Sequence, residues 1–359
     1  MILNDNNPSM KNKIAIVILN WNTKELLEKF LPVLVKNTNV TGAAIYVVDN
    51  HSFDDSTSLV KEGYPEVKLI ELSKNHGFAG GYNMALQQID AEYYVLLNSD
   101  VEVDKNWLIP LANFLDKHEE YGAVMPKILD YSHKNKFEYA GAAGGYIDKY
   151  GYPFCRGRLF THLEEDRGQY DKRVDIHWAS GACLMVRSKL YHQLGGLDVY
   201  FFAHMEEIDF CWRMANRGYK LACIPSSKVY HVGGGTLPKS NPRKTYLNFR
   251  NSLLLLYKNL PDQLLYRVLF TRFFLDMLAA FFFLMKLSLA DFKAVLNAIA
   301  DFYKLRKQYI PVRNSLVNFN NQSKRDTLYK DSIVWQFYFK RKRKFSQIVD
   351  SSWLKDISG

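Results

Sequence analysis

The sequence contains little cysteine, and its cysteines are not arranged for a zinc site or a disulfide framework. The four residues are Cys155, Cys183, Cys211 and Cys223, with no C-x-x-C pair and no Cys/His spacing typical of zinc. We therefore exclude a zinc-ribbon or disulfide-stapled domain. Cys183 and Cys211 lie among apolar residues, and we predict that they are ordinary core cysteines.

Two kinds of apolar segment are also missing. Residues 1–12 form a polar, Asn-rich tail without the apolar stretch of a signal peptide, so we expect the catalytic part of the chain in the cytosol.

Leu and Phe are abundant after residue 251, but charges recur too often for the run of about 18 apolar residues that a membrane-spanning helix needs. Lysines and arginines flank an apolar face instead, which is typical of amphipathic helices in a membrane interface. The basic cluster 340–344 beside Trp335 suits anionic lipid headgroups.

The length and composition predict one catalytic domain with additions. With 359 residues, 48% of them hydrophobic, the chain can bury a sizeable core. We divide it into a tail (1–12), a catalytic domain (13–250) and a helical C-terminal region (251–359). That last region would hold the protein peripherally on the inner face of the cell membrane. The alternative is that its helices pack on the catalytic domain or on a second copy of the chain, giving a homodimer.

The chain is basic, with a net charge of +10 and a pI of about 9.1. A positive surface attracts phosphates, whether of nucleotides, nucleic acid or anionic lipid. The basic residues are spread along the chain and no nucleic-acid motif is present, so we expect no nucleic-acid partner.

The first hundred residues alternate between strand and helix patterns, which predicts an α/β fold with a doubly wound parallel sheet. The predicted strands are 13–19, 43–48, 67–72 and 93–97, and the predicted helices are 24–36, a short one after Ser56, and 84–89. A Gly-rich loop at 75–83 precedes that last helix. Polar residues that end such strands lie on one edge of the sheet, where ligands collect.

The rest of the catalytic region has a less regular pattern. We predict a helix at 107–118, a strand at 122–126, long loops with hairpins over 130–175, a strand at 177–186, a short helix at 190–194, a helix at 206–217, strands at 220–224 and 228–231, and a mobile loop at 233–236. Long loops of this kind are where a second substrate is often recognised.

Three polar groups follow predicted strands and are candidates for donor binding. Asp100, with Asn98 and Ser99 beside it, can hold a divalent cation that in turn holds a diphosphate. Asp49 can hydrogen-bond a base or ribose. Each aspartate has an alternative role as a turn cap. In the Gly-rich loop, backbone N–H groups from Gly77 onward can approach a phosphate, and its asparagines can add polar contacts.

The densest acidic cluster is Glu206, Glu207 and Asp209, at the start of a predicted helix. Acids are favoured there by the helix dipole alone. The functional alternative is a general base that removes a proton from an acceptor hydroxyl. His231 is either a core histidine or, if it faces Asp100, a further metal ligand.

Seven stretches in order over 14–236 resemble the family 2 glycosyltransferases, in particular their bacterial rhamnosyltransferase-like branch. The stretches are Ile16–Asn22, Val47–Ser52, Asn75–Asn83, Leu96–Val101, Ser180–Arg187, Glu206–Arg213 and Val229–Gly234. The resemblance implies a GT-A fold, a Rossmann-like nucleotide-sugar-binding domain. It also implies inverting transfer of a sugar from a nucleoside-diphosphate sugar to a glycan or lipid-linked acceptor in cell-surface polysaccharide synthesis.

The resemblance also implies roles for individual residues. Glu207 occupies the position of the catalytic base, with Glu206 and Asp209 as alternatives, and Asp100 and His231 would ligate Mg²⁺ or Mn²⁺. The donor nucleotide would contact Asn20, Asp49, Asn75, Gly77, Asn83, Asn98 and Ser99. Asn98 stands where the family has the first acid of its D-x-D motif, and Glu207 stands in place of an aspartate.

Two alternatives differ in function. A sugar nucleotidyltransferase needs a basic, Gly-rich loop after the first strand, and Asn20-Trp21-Asn22-Thr23 stands there instead. A non-catalytic nucleotide-sugar-binding subunit is favoured only by Asn98.

Overall fold

The computed structural model describes residues 13–233, 241–317, 327–350, 352–354 and 356–357. The predictions for the tail at 1–12 and for most of the loop at 233–236 lie outside these residues.

The catalytic region is built on a nine-stranded mixed sheet. Its strands are β1 Ile14–Asn20, β2 Ala43–Asp49, β3 Lys68–Glu71, β4 Tyr93–Asn98, β5 Val101–Val103, β6 Tyr121–Asp130, β11 Val174–Ile176, β12 Cys183–Arg187 and β13 Lys220–His231. Their order is β11-β13-β6-β12-β4-β1-β2-β3, with β5 paired to β13. Strands β3, β2, β1 and β4 are parallel neighbours, whereas β12 runs antiparallel to β4 and β6. The predicted parallel sheet is confirmed, because the buried apolar strands β1, β2 and β4 share one direction.

Helices connect and cover these strands. They are α1 Lys24–Asn37, α2 Ser56–Gly63, α3 Gly77–Leu86, α4 Leu108–Lys117, α5 Ser188–Gln193 and α6 Glu206–Asn216. A short 3₁₀ helix, Val199–Phe201, precedes α6. Helix α1 buries Leu27, Phe30, Leu31 and Leu34, the apolar stripe that its sequence predicts.

The segment predicted as loops with hairpins forms a second, five-stranded sheet. Its strands are β7 Gly145–Asp148, β8 Pro153–Cys155, β9 Arg158–Leu159, β10 His162–Leu163 and β14 Leu328–Tyr329. The first four are antiparallel neighbours, which confirms the hairpins. Strand β14 comes from the C-terminal region and pairs parallel with β7, a long-range contact with no local sequence signal.

Three predicted element boundaries are wrong. The Gly-rich segment is helical from Gly77, because its glycines let α3 approach β1: a Cβ at Gly81 would lie 2.7 Å from Leu19. Residues 177–182 are not strand, and only Cys183–Arg187 pairs with β4. The two strands predicted at 220–231 are one strand, β13, with a register shift between Ile224 and Lys228.

The C-terminal region consists of α7 Pro242–Asn259, α8 Asp262–Met285, α9 Leu289–Leu305, α10 Ile310–Val317 and α11 Phe345–Ile348. The proposed domain boundary after residue 250 falls inside α7. Helix α8 is long and apolar enough to cross a membrane by length and composition, with a mean hydropathy of 1.9 in its most apolar window. This corrects the expectation that charges recur too often for such a helix, because its most apolar window contains no more than two charged residues.

Helix α8 exposes an apolar face and buries charged residues against the rest of the protein. Its buried residues include Arg272 and Asp276, and its exposed ones follow one another at helical spacing: Tyr266, Phe270, Phe274, Leu278, Phe282 and Met285. The charged pair faces the protein, where Arg272 also donates to the Tyr150 carbonyl. The phenylalanines therefore form part of an outward apolar face.

Candidate active site

Asp100 and His231 meet at the carboxyl end of β4. The antiparallel pairing of β13 with β5 places His231 opposite Val101, and the Val232 N–H donates to the Asp100 carbonyl at 3.0 Å. His231 Nε2 consequently lies 3.1 Å from Asp100 Oδ1, and both residues are buried. The structure thus brings together the two residues predicted as metal ligands.

In both Asp100 and His231, the hydrogen bonds and charges of neighbouring groups together shift the pKa more than burial does. Burial alone would raise the pKa of Asp100, but the hydrogen bond and charge of His231 hold that pKa below its usual value. Burial would lower the pKa of His231, but the carboxylates of Asp100 and Glu138 raise it to about 10. His231 Nδ1 lies 3.2 Å from Glu138 Oε2. Sequence reasoning missed Glu138, because it lies in the aperiodic segment after β6.

The donor set at Asp100 and His231 fits a divalent cation. Two neighbouring ligands on an octahedral ion, each about 2.1 Å from the metal, are separated by roughly 3.0 Å. The observed 3.1 Å contact between the carboxylate oxygen and Nε2 is a direct ion pair, and its length is also compatible with two ligands of one cation. Among the described residues, no cluster of three or more His, Cys, Asp or Glu side chains is placed to hold a metal.

Asp49 ends β2 beside the end of β1 and is held by short hydrogen bonds. Its oxygens accept from Asn20 Nδ2 at 3.0 Å and from the Ser52 N–H at 3.0 Å. An ionised carboxylate has acceptor capacity for about four bonds, so Asp49 can still receive a donor from a ligand. Asn20 is fully buried and its amide is engaged by Asp49, Ser52 and Thr23. It positions Asp49, which corrects its prediction as a nucleotide contact.

A hydrogen-bonded chain links Asp49 to the end of β4. Thr23 Oγ1 donates to Asn20 Oδ1 at 2.6 Å and contacts Ser99 Oγ at 3.2 Å. The half-buried Asn98 is fixed through its backbone N–H, which donates to the Ala182 carbonyl. The ends of β1, β2 and β4 therefore form one polar edge, as predicted from the strand pattern.

The segment before α3 is fixed from β2. Asn50 Nδ2 donates to Asn75 Oδ1 and to the Gly77 carbonyl, and the Gly77 N–H donates to Asn75 Oδ1 at 2.7 Å. Gly77 has a φ of +70°, a value that glycine adopts without strain. Asn75 and Gly77 thus lie at the N-terminus of α3 beside the strand ends.

Asn83 does not belong to the site. Its Nδ2 donates to the Leu197 carbonyl at 2.7 Å, and its Oδ1 accepts from the Leu197 N–H and from Tyr191 Oη. Both polar atoms of its side chain are thus engaged by Leu197 and Tyr191. The prediction that Asn83 contacts the donor is therefore wrong.

The three acids at the start of α6 occupy different environments. Asp209 is fully buried and accepts from Arg213, Lys258 and Asn259. Burial would raise the pKa of Asp209, but Lys258 and Arg213 hold it below its usual value. It is an ion-paired anchor between α6 and α7, which removes it as a base candidate.

Glu206 and Glu207 are the two remaining candidates. Burial and the charge of Glu207 raise the pKa of Glu206 well above its usual value. Burial raises the pKa of Glu207 to about 7. Each of the two glutamates has one carboxylate oxygen that is buried without a hydrogen-bond partner among the described residues. A base must begin ionised and poised near the working pH, and Glu207 meets both conditions.

Glu207 lies beside the end of β4. A Cβ added at Gly181 would contact Glu207 Cβ at 3.8 Å, and Gly181 precedes Ala182, whose carbonyl accepts from Asn98. The backbone before α6 is unusual, because Phe202, His204 and Met205 all have positive φ. Asn251 of α7 stabilises it by donating to the carbonyls of Phe201, Ala203 and His204.

This chain is similar in sequence to known glycosyltransferases. The family profile described as Glycosyl transferase family 2 matches residues 15–195. A low-salt glycan biosynthesis hexosyltransferase from Haloferax volcanii is 24% identical over 256 residues, which cover 68% of this chain and 76% of that protein. An N-acetylglucosaminyl-diphospho-decaprenol L-rhamnosyltransferase from Mycobacterium tuberculosis is 25% identical over 240 residues, covering 62% and 76%.

A solved structure extends the similarity to the fold. The mannosyltransferase PcManGT from Pyrobaculum calidifontis, in complex with GDP-Man and Mn²⁺, superposes with a TM-score of 0.51 at 13% identity. The superposition covers 94% of this chain and 90% of that one. At this identity, the match shows a shared GT-A-like fold.

Proposed function

The chain belongs to glycosyl transferase family 2, and we propose that it transfers a sugar from a nucleoside-diphosphate sugar to a hydroxyl of a glycan or lipid-linked acceptor, with inversion at the anomeric carbon. The reaction would serve cell-surface polysaccharide synthesis. The observation that carries this proposal is the position of Glu207, a half-buried residue with one carboxylate oxygen buried without a hydrogen-bond partner among the described residues, close to the strand end that carries Asp100 and His231.

In the proposed reaction, Glu207 accepts the proton of the acceptor hydroxyl while that oxygen attacks the anomeric carbon. The bond between this carbon and the diphosphate breaks, so the products are the inverted glycoside, the nucleoside diphosphate and protonated Glu207. The pKa of about 7 makes Glu207 a stronger base than an exposed carboxylate and leaves it ionised at mildly alkaline pH.

The leaving diphosphate needs its charge neutralised. Asp100 and His231 would hold Mg²⁺ or Mn²⁺, which supplies that neutralisation when bound. The N-terminus of α3, with Gly77 and Asn75, adds backbone dipoles at the same edge. Asp49 would accept a hydrogen bond from the nucleoside.

Two measurements test this function. A thermal-shift screen of uridine, guanosine and thymidine diphosphate sugars, with and without Mn²⁺, identifies the donor; hexosyl and rhamnosyl donors come first, since the relatives carry these activities in their names. NMR of the purified glycoside then compares its anomeric configuration with that of the donor. Retention of configuration would refute the inverting mechanism, and release of pyrophosphate from a nucleoside triphosphate would indicate nucleotidyl transfer.

The protein would work peripherally on the inner face of the cell membrane, with the outward face of α8 against lipid. Phe270, Phe274 and Leu278 are each more than half exposed, whereas the charged pair Arg272–Asp276 is buried on the opposite side. A helix with this inverted arrangement is stabilised when its outer face meets an apolar environment. The exposed basic cluster 340–344 adds attraction to anionic headgroups.

Point substitutions test this location better than truncation, because Lys258 and Asn259 anchor Asp209. The double substitution Phe274→Asp and Leu278→Asp should abolish co-sedimentation with anionic phosphatidylglycerol vesicles. Ile109→Asp, which alters an exposed apolar residue on α4, is the matched control and should bind normally. Equal vesicle binding by the double variant would refute lipid docking by α8. If the wild-type protein is a dimer that does not bind vesicles, and the double variant is a monomer, the outward face of α8 instead contacts a second copy of the chain.

A further inference from the structure

Glu138 is a buried carboxylate that has no role in the proposed sugar transfer. Only 5% of Glu138 is exposed, and no lysine or arginine among the described residues forms an ion pair with it. Its ionic partner is His231, with Glu138 Oε2 at 3.2 Å from Nδ1. Burying a carboxylate is costly unless it is paired, so this contact accounts for its place in the fold.

The two nitrogens of His231 face different carboxylates. Nε2 faces Asp100 across the spacing expected for two ligands of one cation, and Nδ1 faces Glu138. In metal sites, a histidine commonly donates its second N–H to a carboxylate, which fixes the tautomer and ring orientation and makes the ligating nitrogen more basic. The alignment Asp100–His231–Glu138 places a carboxylate beside each ring nitrogen, with the Nδ1–Glu138 contact formed as a 3.2 Å ion pair.

The backbone around Glu138 maintains the contact. The Glu138 N–H donates to the Ile128 carbonyl of β6 at 3.2 Å, and its carboxylate accepts from the Ala140 N–H. On the other side, Gly233 passes so close that an added Cβ would lie 2.7 Å from Glu138 Oε1, and its φ is +71°. Glycine at 233 therefore leaves the space in which the Glu138 carboxylate reaches His231.

We propose that Glu138 is a positioning residue that holds His231 with Nε2 directed at the cation beside Asp100. This inference rests on the proposed cation site and adds to it the residue that sets the orientation of its histidine ligand. Glu138 acts through His231 and need not touch the sugar donor.

The test measures Mn²⁺ binding to the full chain, without donor or acceptor. Electron paramagnetic resonance reports free Mn²⁺ during a titration, and pulsed measurements on protein containing histidine labelled with ¹⁵N at Nε2 report whether that atom is coordinated. The variant His231→Gln assigns the signal among the nine histidines. For Glu138→Leu we expect a 10- to 100-fold loss of Mn²⁺ affinity, with loss of the Nε2 coupling.

Two further variants separate positioning from general damage. Glu138→Gln keeps an acceptor oxygen and should retain the Nε2 coupling with a smaller loss of affinity. Glu164→Leu removes another buried carboxylate, one that accepts from Tyr170 and Phe345, and should leave Mn²⁺ binding unchanged. Unchanged affinity and coupling in folded Glu138→Leu would overturn this inference and leave the cation site standing. A wild-type chain without coupling from His231 would overturn the cation site itself, and this inference with it, but not the sugar transfer.

Discussion

Replacing Glu207 by glutamine should remove activity and stabilise the protein at the same time. As a general base, Glu207 is expected to contribute about 10²- to 10⁴-fold to the rate, so turnover of Glu207→Gln should fall by at least that order. The substitution keeps the size of the side chain and the contact with Gly181. Donor binding should therefore persist, and the loss should appear in kcat.

The stability gain follows from the pKa of the same residue. Burial raises that pKa from the ordinary value of 4.5 to about 7, which corresponds to about 3 kcal/mol of unfavourable free energy when the carboxylate is ionised in the folded chain. Below pH 4.5 the residue is protonated in both the folded and the unfolded chain, so glutamine gains nothing there. The penalty develops as pH rises from 4.5 to 7 and is complete above pH 7. The variant should thus be more stable by up to about 3 kcal/mol at pH 8 and equal to wild type near pH 4.5.

Thermal unfolding at pH 5 and pH 8 measures this difference, for which we expect a rise in Tm of roughly 5 °C at pH 8. Glu62→Gln, an exposed residue of α2, is the control and should behave as wild type at both pH values. Turnover above one tenth of wild type would remove Glu207 from the base role. A loss of turnover without any pH-dependent stabilisation would refute the argument from burial.

Three further predictions address the same site. Since the base acts in its ionised form, kcat/KM should fall tenfold for each pH unit below about 7, and a profile that is flat down to pH 5 would contradict the assignment of Glu207. Asp209→Asn leaves Lys258 and Arg213 partly uncompensated and should cost about 3–5 kcal/mol in unfolding free energy, measured by denaturant titration; a fully stable, inactive variant would point to a catalytic role instead. Removing divalent cations with a chelator should stop turnover and adding Mn²⁺ should restore it, while Asp100→Asn should need more Mn²⁺ for half-maximal rate; full activity in chelator would refute Asp100 and His231 as ligands.

The strand ends of the site were predictable because they depend on local sequence. Each of β1, β2 and β4 is a short buried apolar run followed by polar residues, and parallel strands expose those residues at one edge. Asp49 and Asp100 were found in this way. For His231 the sequence left two roles open, a core histidine or a metal ligand, and the resemblance to a family favoured the second.

Other features depend on long-range contacts and had no local signal. Glu138 meets His231 only because β6 and β13 are parallel neighbours. Asn83 was misassigned because an asparagine near a Gly-rich segment can bind a ligand or hydrogen-bond a turn of the backbone. Only its contacts with Leu197 show that it does the second. The helical start of α3 was missed for a similar reason. Its glycines lower helix propensity, but their lack of a Cβ allows close packing on Leu19.

The boundary placed after residue 250 falls inside helix α7, and the contacts of this helix bear on function. Helix α7 contacts the segment around Glu207 at two places. Asn251 bonds to the turn before α6, and Lys258 and Asn259 bond to Asp209 within α6. Helix α8 begins at Asp262, directly after α7. The element that fixes the proposed base is therefore continuous in sequence with the helix proposed to meet the membrane. An acceptor carried on a lipid would approach Glu207 from a surface whose position relative to the base is set by α7.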